Sequence, residues 1–233
     1  MSRVSSSGWM GALVAMRRLR GRAALLIAAT TVGFSTVAAF AERRALAADA
    51  PSRVLQGPVF GLAIPLATLA LLSVSLGGGR LDQAMSGAAM LGANRRAAAL
   101  GALLAVGGVA TFLCAITAGC AALVAHGTLR GSSLCDAFTC SWIGMLSAIG
   151  YTGLFAAGST FGRRGGGRTL ALLADLVLGP TVGTATFVLP RAHSLVLLGS
   201  ATTAASFTQP VSSAALVLIA IGWTLLAAGR VRP

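Results

Sequence analysis

Six apolar stretches dominate the chain, at residues 23–40, 58–76, 98–124, 138–160, 169–189 and 211–229. Each has close to the roughly 20 residues that a helix needs to cross a hydrocarbon layer about 30 Å thick. Five are nearly free of charge, and the fifth in order holds a single acid, Asp175. They are too long for membrane β-strands, which run about 10 residues and alternate in polarity. Their many Gly and Ala residues suit helices that pack closely in lipid. Only 10% of residues are charged, against about 25% in a soluble domain, too few to cover a water-facing surface. The expected fold is therefore all-α and polytopic, with six transmembrane helices. Residues 1–22 form an N-terminal interfacial helix or tail, 23–229 the six-helix domain, and 230–233 a cytoplasmic tail.

A net charge of +13 raises the question of nucleic acid, but its distribution points to a bilayer. All 18 basic residues are Arg, and they cluster at the ends of the apolar stretches. With the N-terminus inside, thirteen fall on the cytoplasmic side and five outside. The positive-inside rule then sets both termini in the cytoplasm. Nucleic acid is not an expected partner.

Three segments outside the apolar stretches carry further signals. In 1–22, Trp9, Leu13 and Met16 recur at helical spacing ahead of Arg17, Arg18 and Arg20, as in a helix lying in the headgroup region. A basic tail that only sets topology is the alternative. Arg17-Arg18 with Ala39-Phe40-Ala41 has the outline of a cleavable signal, but the arginines lie far from Met1, and a polytopic chain rarely needs one. In 76–96, Gly77-Gly78-Gly79 ends a helix, and Leu81, Met85, Ala88 and Leu91 then recur opposite Arg80, Asp82 and Asn94. That pattern predicts a cytoplasmic amphipathic helix along the membrane surface, with a plain connector as the alternative. Outside, Ser194–Phe207 is apolar but too short to cross, which predicts a re-entrant or interfacial segment.

Little in the chain can do covalent chemistry. There is no phosphate-binding loop, Gly165-Gly166-Gly167 being a bare turn, and the two histidines, His126 and His193, fall in outer connections. Cys120, Cys135 and Cys140 around His126 match no zinc spacing. With Cys114 they read as small apolar thiols, an outer disulfide being the other possibility. No metal, cofactor or catalytic residue is expected. Asp175 is the exception to the apolar rule, since an acid in a membrane helix usually faces the bundle interior or a partner. Arg168, two turns nearer the cytoplasm, is its expected partner. Gly179-Pro180 follows one turn later and predicts a kink or hinge. Asp175, Gly179 and Pro180 are thus the pathway or gating candidates.

The order of features resembles the type-two membrane subunits of ABC exporters. The best local match runs from Ala88 to Leu104, where Arg95-Arg96 and Leu100-Gly101 fit the family pattern. The usual Pro is absent, Ala102 stands for a Lys, and the acidic lead-in is reduced to Asp82 and Gly87. Leu189-Pro190 with His193 resembles the family's outer hairpin. The resemblance implies a permease that pairs with a second permease subunit and with a separate cytoplasmic ABC-type ATPase. Leu81, Asp82, Met85, Leu91, Arg95 and Arg96 would couple to that ATPase, and the chain itself would hydrolyse nothing. An ion-coupled carrier using Asp175, or a membrane assembly or scaffold subunit, are the alternatives.

Overall fold

The structure, a computed structural model, describes residues 3–45, 49–127, 131–181, 184–200 and 207–231. Arg130, Arg232 and residues 201–206 of the expected outer segment lie outside the described residues. Every regular element described is helical: α1 (Arg3–Leu19), α2 (Arg22–Arg44), α3 (Ala50–Val54), α4 (Ile64–Ser75), α5 (Leu81–Ala84), α6 (Ser86–Met90), α7 (Arg95–His126), α8 (Gly131–Gly158), α9 (Gly167–Leu178), α10 (Pro190–Leu197) and α11 (Gln209–Arg230). Among the described residues, five helices are long and apolar enough to cross a membrane: α2, the continuous Ala50–Ser75, α7, α8 and α11. The chain is a helical membrane protein.

Ala50–Ser75 is one helix of two kinds. Between α3 and α4, Leu55–Ala63 is π-helical, and Ile64 N–H reaches the Val59 carbonyl five residues back. Pro58 lies inside this segment. Proline removes a donor and crowds the carbonyl four residues earlier, and a wider turn relieves both. π-Helical turns are rare and often mark functional positions.

α8 is the centre of the bundle. In its apolar stretch 78% of residues are buried, against 17% in α2. Glycines let its neighbours approach. A Cβ at Gly144 would lie 2.7 Å from the Cys114 carbonyl oxygen on α7, and one at Gly153 2.7 Å from the Ala220 carbonyl oxygen on α11. Gly150 faces Pro190 and Leu216. α1 docks on the start of α7 in the same way: a Cβ at Gly11 would overlap the Ala98 carbonyl, and one at Gly101 the Gly8 carbonyl. Trp9, Leu13 and Met16 are exposed. Small residues that bring backbones together are the usual means of helix association in lipid.

One end of the bundle gathers the connections. Asn94 caps α7 through the Arg96 and Ala97 amides, and its own N–H meets Ser7 Oγ of α1 at 3.0 Å. Arg18 donates to the Ser75 carbonyl, and Arg96 to the Val231 carbonyl just beyond α11. Two expectations change here. The amphipathic segment 76–96 is two short helical pieces, α5 and α6, rather than one helix on a membrane surface. Leu81, Met85 and Ala88 are buried in the protein's own core, while Met90 and Leu91 are exposed. The stretch 169–189 is not one continuous helix, because α9 stops at Leu178.

A polar centre at a broken helix

α9 spans 12 residues, about 18 Å at 1.5 Å per residue, too short to cross a bilayer alone. Gly179 closes it, and Pro180 cannot donate to continue it. The chain makes a 3₁₀ turn at Thr184–Val188 and re-enters helix at Pro190, the start of α10. Gly179 and Pro180 therefore mark a break rather than a kink.

Asp175 lies one turn before that break and is wholly buried. The Tyr151 hydroxyl on α8 donates to its Oδ2 at 2.7 Å, and the Arg191 backbone N–H donates to its Oδ1 at 3.2 Å. The second bond explains how α10 begins. A helix start leaves its first amides unpaired, and the residue before it usually caps them with a side-chain oxygen. Leu189 stands there, is extended and has none to offer, and Pro190 follows at the first helical position. Asp175 supplies the missing acceptor from another helix. Its negative charge also meets the positive end of the α10 dipole.

Neighbours hold several other polar groups around the break. Ser147 of α8 and Ser194 of α10 share a hydrogen bond of 2.7 Å. Trp223 Nε1 of α11 donates to the Val188 carbonyl at 3.3 Å, and His193 Nε2 lies 3.2 Å from the Phe187 carbonyl. Irregular backbone at membrane depth persists only where protein or a water-filled cavity receives its polar groups. Asp175 is eight residues into α9, and Tyr151 seven residues from the end of α8, so both lie about 10–12 Å along their helices. The Arg191 side chain runs past Gly179 to Gly61 of the π-helical segment, with Nη2 3.2 Å from where a Gly61 Cβ would lie. Arg191 Nε and His193 Nδ1 are buried without a hydrogen-bond partner among the described residues. A carboxylate and a phenol thus meet at the start of α10, close to the break after α9, with the Arg191 side chain leading from there to the π-helical turn. Half-helix ends inside a bilayer can bind ions.

Comparison with protein-family models, curated proteins and solved structures finds no match. The reading therefore rests on the residues themselves.

Arg168 is not the partner of Asp175. Its guanidinium donates to the Gly165 and Gly79 carbonyls and to Ser73 Oγ, joining the two loops at the end of the bundle. Of the other sequence candidates, Asp82 pairs with Arg80 at 3.3 Å, Arg95 opens α7, and Arg96 is held at Val231. Leu81 and Met85 point into the core, where a partner protein has no access. His126 ends α7 and pairs with Asp136 at 3.1 Å, and His193 is buried in α10 rather than in an outer loop. All four cysteines are free thiols. No group of three metal-binding side chains occurs among the described residues. Tyr151, Arg191, Ser147, Ser194 and Trp223 escaped the sequence reading. Tyr151 carried the clearest signal, as the only tyrosine in the chain and one set within an apolar stretch, where its hydroxyl needs a partner.

Proposed function

We propose that the chain is the membrane-spanning permease subunit of an ABC-type exporter in a bacterial inner membrane. On this reading it crosses six times, α9 and α10 together making the fifth crossing, and both ends of the chain face the cytoplasm. It pairs with a second permease subunit and with a cytoplasmic ATPase that hydrolyses the ATP.

The observation that carries the reading is the platform at one end of the bundle. Both ends of α1, the start of α7, the end of α4 with the loop that follows it, the 163–168 loop and the end of α11 are tied together there by Ser7, Arg18, Arg96 and Arg168. The platform offers Met90 and Leu91 as exposed apolar side chains, and a cleft of about 660 Å³ lined by Arg80, Gln83, Gly162, Arg163 and Arg164. Apolar side chains together with a basic cleft suit a soluble protein partner with an acidic surface. Movement of a partner against this platform reaches α9 through Arg168, and so reaches the break. The test is affinity purification of the intact complex in mild detergent, followed by an ATPase assay. An ABC-type ATPase should co-purify and should be lost with Met90→Asp/Leu91→Asp. Recovery of the folded chain without any ATPase would count against the reading.

A second reading, an ion-coupled carrier, is favoured by one observation, the buried Asp175 between two half-helix ends. It is distinguished by flux in sealed vesicles without ATP. Flux driven by a proton gradient and abolished by Asp175→Asn would replace the permease reading with the carrier.

A further inference from the structure

The bundle surface carries two apolar grooves side by side, separated by the exposed side chain of Leu104. One, of about 450 Å³, lies between α7 and α11 with α8 as its floor, and Gly107, Gly108, Thr152 and Ile221 are among its walls. The other, of about 680 Å³, lies between α1 and α7, beside Trp9, Met16 and Gly101. A glycine opens the first. Nothing stands within 4 Å of where a Cβ of Gly108 would be.

These grooves lead to one charged end. Arg96 is on the same side of α7 as Leu103 and Gly107, about two and three helical turns away in register. Its Nε is bonded to the Val231 carbonyl, the residue directly after Arg230. The Arg230 guanidinium lies 4.1 Å above the Phe161 ring. Both arginines are exposed, and no acid pairs with either among the described residues. Two cations thus stand where paired apolar channels meet the polar edge of the membrane.

We propose that this surface is a binding site for an anionic phospholipid, with its two acyl chains in the grooves on either side of Leu104 and its headgroup at Arg96 and Arg230. The charge pattern selects the occupant. Any lipid tail fills an apolar groove, but two unpaired guanidinium groups favour a headgroup with net negative charge. Arginine suits it particularly, since its planar fork binds phosphate oxygens in pairs. The site requires only that the protein sits in a bilayer, and holds whichever transport reading is correct.

The test is native mass spectrometry of the delipidated full chain in detergent, with dioleoylphosphatidylglycerol or dioleoylphosphatidylcholine added at matched concentrations. The wild type should retain phosphatidylglycerol over phosphatidylcholine. Arg96→Gln and Arg230→Gln should each cut that preference about fivefold, the worth of one basic residue at an anionic surface. Gly108→Leu, which fills open space, should weaken retention of both lipids while the thermal melt stays cooperative. Equal retention of the two lipids by the wild type would overturn the proposal without recourse to any variant. So would unchanged retention in Gly108→Leu. Dissociation of a stable dimer by Gly108→Leu would do the same, by assigning the groove to a second copy of the chain.

Discussion

Asp175 does two jobs with one carboxylate: it receives a phenol from α8 and opens α10. Asn at this position keeps an oxygen for the Arg191 amide, and the Tyr151 hydroxyl can turn to accept instead of donate. Asp175→Asn should therefore cost about 1 kcal/mol or less, in line with hydrogen bonds inside membrane proteins. Asp175→Ala leaves a buried hydroxyl and a helix-start amide unsatisfied, and should cost about 2–4 kcal/mol. Thermal unfolding in detergent measures both, and an alanine variant as stable as asparagine would show that the carboxylate does not hold α10. The importance of Asp175 was legible in the sequence, because an acid within an apolar stretch has few places to go. Its partner was not. Arg168 lies seven residues away on the same helix, but two loop carbonyls and a serine hydroxyl compete for its guanidinium, and two of these, at Gly79 and Ser73, are remote in sequence. Arg191 meets Asp175 through its backbone, which residue type does not encode.

At the scale of elements, α5 and α6 show how an amphipathic pattern can be right in period and wrong in destination. Leu81, Met85 and Ala88 do share a side, but that side faces the bundle. Leu81→Asp/Met85→Asp should accordingly lower the yield of folded protein, since it places two charges in the core. Met90→Asp/Leu91→Asp should leave yield and melting unchanged. Size-exclusion profiles of the two double variants decide between burial and exposure, and a well-folded Leu81→Asp/Met85→Asp protein would refute the packing described here. The five long helices were readable because run length and composition alone dictate them in an apolar solvent. The stop in α9 was only half readable. Gly179-Pro180 announced a disturbance, but a break needs receptors for the freed backbone, and these are Asp175, Trp223 and His193 from three different helices. The π-helical turn around Pro58 depends in the same way on the chain as a whole.

In the whole molecule, α8 holds α7, α9, α10 and α11 together, and it does so with glycine notches and hydroxyls rather than bulk. The helix best suited to the middle of the bundle is therefore poorly suited to lipid. Its mean hydropathy is 1.3, against 1.9 to 2.2 for the other four long helices. Asp136, Ser147, Tyr151 and Thr152 all lie on it, and polar side chains are penalised when a single helix partitions into the membrane during synthesis. α7, at 2.2, precedes it across a short connection and offers the surface that Gly144 fits. Biogenesis should thus proceed by hand-over: α7 enters first and waits at the insertion machinery until α8 joins it as a hairpin. In a glycosylation-mapping assay, residues 131–158 alone should insert poorly and residues 95–158 efficiently. Equal insertion of the two would mean that the central helix needs no escort into the bilayer.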